Sequence, residues 1–149
     1  MHGAAVVAGL GESRYYRRGE ARETEFQLAC IAIRNAVDDA GLTLADVDGF
    51  VSYMDRNDPV RLSAALGAGD LSFTAQTFGG GGNGAGAAVT LADAAISAGY
   101  AECVVVFRAL AQGFTYRATS LFSRAQPQRL LESFVRESPA WLRRRFFEQ

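Results

Sequence analysis

The chain of 149 residues contains no lysine; all 15 basic residues are arginine. Schiff-base catalysis, which needs a lysine amine, is thereby excluded, and so is a phosphate loop closed by Gly-Lys-Ser/Thr. Histidine is nearly absent as well. The single imidazole, His2, stands at the amino end, so no internal histidine is available as a general base or metal ligand. Two cysteines, Cys30 and Cys103, are too few and too far apart for a disulfide scaffold or a cysteine zinc site, and both read as small buried hydrophobes. No metal site is expected. No run of about 18 apolar residues could cross a bilayer, and a net charge of −1 gives no overall attraction for nucleic acid or an anionic membrane. The opening "MHGAAVVAGLGESR" lacks the basic and long apolar regions of a secretory signal, which predicts a cytoplasmic protein.

Hydrophobic residues make up 49% of the chain and charged residues 21%, a balance that fits a globular domain able to bury a core. "AAVVAGLG" (4–11) is a short apolar run closed by glycine and is expected to form a buried strand. After the arginine-rich loop "ESRYYRRGEARE", Phe26, Leu28, Ala29, Ile31, Ala32, Ile33, Ala36 and Val37 fill a broad helical face between an N-cap at Thr24 and a terminating Gly41. A second strand is expected at about 49–53. A short helix follows, with Asp58 as cap and Pro59 at its first position. "LSFTAQTF" alternates as a strand does, the alanine-rich stretch 82–98 reads as a helix ended by Gly99, and "CVVVFRA" is a β-branched strand. Strands alternating with helices predict an α/β fold, a sheet layered with helices.

Two nucleotide-binding patterns fail on inspection. In "GLGESR" Arg14 occupies the third glycine position of a dinucleotide fingerprint, and the next helix begins only near Thr24. The four glycines Gly79 to Gly82 lead straight into a helix without the lysine of a phosphate loop. Their remaining use is geometric. Glycine lets a ligand or another backbone come close, and a helix N-terminus presents unpaired N–H groups and a partial positive charge. Tight strand-to-helix packing would use the same glycines.

The ordered segments "AAVVAGLGESRYYRR", "LACIAIRNAVDDAGLTLADVDGFVSY" and the glycine elbow leading into "AAVTLADAAISAGYAECVVVFRA" resemble the N-terminal half of the thiolase superfamily, in its lipid-transfer-protein and steroid side-chain aldolase branch. The resemblance spans about residues 4 to 110 and implies a half-domain over 1–111 with a mixed sheet layered by helices. It also implies acyl-CoA chemistry, with the CoA thioester as substrate and no further cofactor. In thiolases a cysteine at the N-terminus of the central helix becomes the acyl-carrying thiolate. By its distance from "AISAGYAE" that cysteine falls near Gly82, and here the residues are Gly81, Gly82 and Asn83. Cys30 and Cys103 lie elsewhere in the pattern, so no catalytic residue is assigned. A glycine elbow resembles the aldolases of this branch, which cleave a β-hydroxyacyl-CoA and need a base and an enolate-stabilising site rather than an acyl-enzyme. Their acid/base tyrosines belong to the C-terminal half, and none of Tyr15, Tyr16, Tyr53, Tyr100 or Tyr116 maps onto them. The expected substrate-binding residues are Gly80, Gly81, Gly82 and Asn83.

Residues 112–149 depart from the family and carry 7 arginines against 3 glutamates, whereas the preceding residues carry 8 arginines against 13 acidic residues. They read as a divergent basic helical tail with an apolar patch at Leu130, Leu131, Phe134 and Val135. The partners the resemblance implies are an acyl-CoA ligand and a second protein chain: a homodimer mate, or a complementary thiolase-like or OB-fold chain. Two classes of function stay open: an enzyme component acting with a complementary half, and a noncatalytic thiolase-like binding module.

Overall fold

The computed structural model describes residues 5–53, 57–78 and 82–111. The elements run α1 (Glu25–Asp39), a 3-10 turn (Leu44–Asp46), β1 (Gly49–Tyr53), α2 (Pro59–Leu66), β2 (Phe73–Thr77), α3 (Gly82–Ser97) and β3 (Val104–Phe107). Local chemistry sets their limits. Thr24 and Gln27 form a reciprocal capping box at the start of α1, and Gly41, at a φ of 69°, takes the left-handed turn beyond its end. Asp58 accepts from Val60 N–H ahead of Pro59, and Gly67 closes α2 in the left-handed conformation.

The three strands form a parallel sheet in the order β2-β1-β3, with Val51 opposite Ala75 on one side and Val106 on the other. Asp48 ties the beginnings of β1 and β3 together. Its carboxylate accepts from Glu102 N–H and Cys103 N–H, while its own N–H donates to Cys103 O. Phe50 faces one side of the sheet, in a core with Leu28, Ile33, Val37, Leu62, Leu66 and Phe107 beneath α1 and α2. Val51 and Tyr53 face the other, against Ala88 and Ala92 of α3. Both sides of β1 are therefore covered, as the uninterrupted burial of its five residues requires.

The expected strand at 4–11 does not form. Over the described residues 5–11 the chain is irregular, with Val6 81% exposed and Val7 and Leu10 each 76% exposed. The segment lies on α1 instead of in the sheet. A Cβ at Gly9 would stand 2.3 Å from Ala36 O, and one at Gly11 would stand 2.3 Å from Ala32 O, so only glycine allows so close an approach. Leu10 N–H donates to Asp39 and the Asn35 amide donates to Glu12 O, fixing the segment at both ends of this contact. The breadth of the apolar face on α1 has the same origin: Leu28, Ala29, Ile33 and Val37 are buried, while Ala32 and Ala36 carry the glycine segment. The cysteines are half-buried and free. No helix among the described residues is long and apolar enough to cross a membrane.

Candidate functional site

In a parallel sheet each strand delivers its carboxyl end to the same edge, and a helix that follows a strand starts there. At this edge stand Tyr53 at the end of β1, Thr77 at the end of β2, Arg108 just past β3 and the N-terminus of α3. Gly82 and Asn83 are the first two residues of α3, and Asn83 is exposed. Their N–H groups belong to the first turn, which has no intrahelical acceptors for them. No acidic side chain occupies that turn to offset its partial positive charge. Gly80 and Gly81, expected to bind substrate alongside them, lie outside the described residues, as do Tyr116 and the tail at 112–149.

Thr77 holds the start of α3 in place. Its buried hydroxyl lies 3.0 Å from Gly84 O and 3.5 Å from Ser52 O, so one side chain joins β2 to the first turn of α3 and to β1. The Ser52 hydroxyl is itself buried without a hydrogen-bond partner, but it follows Phe50 on the α1/α2 side of the sheet and so lies across it from α3. At the same edge the Arg108 guanidinium carbon stands 4.5 Å from the centre of the Tyr53 ring. The sequence reading missed Thr77 and this pair. Their signal was an aromatic and an arginine closing two separate strand runs, "GFVSY" and "VVVFR", which only the register of β1 against β3 brings together.

The cysteines, and the tyrosines that precede α1, are poorly suited to covalent or base chemistry. Burial pushes the Cys30 and Cys103 thiols up, away from the reactive thiolate. Neither belongs to the first turn of α3: Cys30 lies within α1 and Cys103 directly precedes β3. A hydrogen bond to Glu12 raises Tyr15, and one to Glu23 raises Tyr16 while holding Glu23 below the usual carboxylate range. A phenol raised in this way is a weaker acid at neutral pH. A surface depression lined by Arg14, Tyr16, Glu20 and Arg22 belongs to the loop before α1 and includes no residue of the sheet edge. No group of three or more metal-ligating side chains occurs among the described residues.

No family model matches the chain. It is 37% identical over 110 residues to a steroid side-chain-cleaving aldolase of Thermomonospora curvata, a match covering 73% of this chain and 27% of that protein. It is 34% identical over 127 residues to the 17-hydroxy-3-oxo-4-pregnene-20-carboxyl-CoA lyase of Mycobacterium tuberculosis, covering 85% of this chain and 31% of the lyase. Among solved structures it is similar to an Ltp2-ChsH2(DUF35) aldolase, with a TM-score of 0.68 and 32% identity over 90% of this chain and 37% of the other. The chain thus spans between about a quarter and two fifths of the proteins it matches. Sequence and fold agree on the lineage: the chain belongs to the thiolase superfamily, in the branch of the steroid side-chain aldolases.

Proposed function

We propose that this chain is the thioester-receiving part of an acyl-CoA retro-aldolase, working with a complementary polypeptide that supplies the acid and base. One observation carries the reading. The carboxyl edge of the sheet meets a helix N-terminus whose first residues, Gly82 and Asn83, offer main-chain N–H groups and no nucleophilic side chain. Retro-aldol cleavage needs such donors for an enolate and has no use for a nucleophile there. A base takes the proton of the β-hydroxyl, the oxygen's electron pair closes to a carbonyl, and the Cα–Cβ bond breaks toward the thioester. The resulting enolate oxygen is held by the N–H groups, and its α-carbon then takes a proton to leave a shortened acyl-CoA. No acyl-enzyme forms, so the glycine in place of a cysteine is no defect.

The names of the relatives support this chemistry, and the name of the structural neighbour, which joins Ltp2 to ChsH2(DUF35), supports a heteromeric assembly. A second chain has a place to pair. β2 is an edge of the described sheet, and Phe73 N–H turns inward to Asp48 O, so by alternation the Thr74 N–H turns outward. Thr74→Pro should therefore convert the associated protein to monomer or aggregate in sedimentation, and a monomer both before and after the change would refute pairing at this edge.

Calorimetric titration with butyryl-CoA tests the ligand site. The full chain should bind it, and Gly82→Val should weaken binding at least tenfold while keeping the melting temperature within a few degrees, a shift of about 1 kcal/mol. No binding by the wild-type chain rejects the reading. Unchanged affinity with lowered stability assigns the glycine to packing alone.

A further inference from the structure

We propose that Arg108 is an oxyanion-binding residue of the same site, gripping a negatively charged group of the ligand whose thioester meets the N-terminus of α3. The inference rests on the acyl-CoA reading above and adds a residue and a chemical class to it. β3 pairs with β1 in a register that places Val51 opposite Val106 and Ser52 opposite Phe107, so the next step sets Arg108 beside Tyr53. By the alternation of the strand, Arg108 takes the same side of the sheet as Val106, Val51 and Tyr53, which is the side α3 covers. The guanidinium and the open end of α3 consequently share one edge and one side of the sheet.

The surroundings of Arg108 differ from those of Arg14, Arg22 and Arg61. Arg14 and Arg22 line a depression together with Glu20, and Arg14 acts on Glu23. Arg61 lies over Phe26 on the α1/α2 side, 5.6 Å from its centre. Arg108 is exposed, stands over the buried ring of Tyr53, and has no ion pair among the described residues. Asp58, next to this edge in the chain, already caps α2. Stacking uses the flat side of a guanidinium and leaves its planar N–H edge for hydrogen bonds, and the buried ring limits the conformational freedom lost on binding. A fork of this kind matches phosphate or carboxylate in two-point contact. An acyl-CoA offers phosphates on its nucleotide portion, and a diacid thioester offers a carboxylate at the far end of its acyl group. Both sources present the same oxyanion.

Titrating the full chain and its Arg108→Gln, Arg108→Lys and Gly82→Val variants with butyryl-CoA, butyryl-pantetheine and succinyl-pantetheine separates the outcomes. Arg108→Gln should weaken butyryl-CoA at least tenfold and butyryl-pantetheine less than twofold, which assigns the contact to a CoA phosphate. The selective loss of succinyl-pantetheine instead assigns it to an acyl carboxylate. In either case Arg108→Lys should restore only part of the loss, because an ammonium keeps the charge without the fork. If Arg108→Gln binds butyryl-CoA and succinyl-pantetheine as the wild type does while Gly82→Val loses them, the proposal falls and the acyl-CoA reading stands. If Arg108→Gln melts many degrees lower and loses all three ligands alike, Arg108 is a structural partner of Tyr53 and the proposal falls too. A wild-type chain that binds none of the three overturns both readings.

Discussion

The two sides of the sheet are built to different standards. Under α1 and α2 the core is filled by large side chains: Phe50, Ile33, Leu62 and Val47 are at most 1% exposed, with the small Ala29 and Ser52 between them, and Phe50 meets Phe107 edge to face. Under α3 the helix contributes Ala88, Ala92 and Ala95, and the bulk comes from Val51, Tyr53 and Phe73 of the sheet. Small residues let a helix lie close on its sheet, and closeness matters where the helix end must meet the strand ends. One side of the molecule supplies stability, while the other positions a helix terminus with little side-chain volume of its own.

The largest break in this contrast should come from the first side. Phe50→Ala removes a ring with no exposure and should cost about 3–5 kcal/mol in denaturant unfolding. A cost below about 1 kcal/mol would mean that the α1/α2 core is not the stabilising one. Ala88→Leu, on the second side, overpacks a fully buried contact and should cost about 1–3 kcal/mol. It should also lift α3 from the strand ends, so butyryl-CoA affinity should fall further than in a Phe50→Val variant of matched stability; equal losses would remove the functional distinction between the two sides. The smallest effect on stability sharpens the contrast through chemistry. Gly82→Cys places a thiol at a helix N-terminus, where the partial positive charge favours thiolate, whereas burial disfavours it at Cys30 and Cys103. At pH 8 iodoacetamide should therefore modify the introduced thiol of that variant well before Cys30 or Cys103, with no thiolase turnover of acetoacetyl-CoA. Faster modification of either native cysteine would contradict the assigned environments.

Elements whose limits are written in local chemistry were legible in the sequence. The Thr24 cap, Asp58-Pro59 and the glycines at 41 and 99 each act within a few residues of themselves, and they mark both limits of α1, the start of α2 and the end of α3. The alternation of "LSFTAQTF" likewise survives as half-buried Phe73 and Ala75 against exposed Thr74 and Gln76. The segment at 5–11 misled because apolar composition says nothing about whether a ladder partner is present. Gly11, read as the end of a strand, serves together with Gly9 for contact with α1 instead. At the site, the glycine elbow announced the helix terminus, but Thr77, Tyr53 and Arg108 become neighbours only through strand register and chain crossover, which no local pattern encodes.

The central claim is that a thioester oxygen is received by the first N–H groups of α3, and amide NMR reports on those groups one by one. In a titration of the isotopically labelled full chain with butyryl-CoA, the Gly82 and Asn83 amides should show saturable shifts among the largest in the spectrum. The amides of Gly9 and Gly11 on the far side of α1 should stay in place. Saturable binding that moves the loop at 12–23 and leaves Gly82 and Asn83 unchanged would contradict the account.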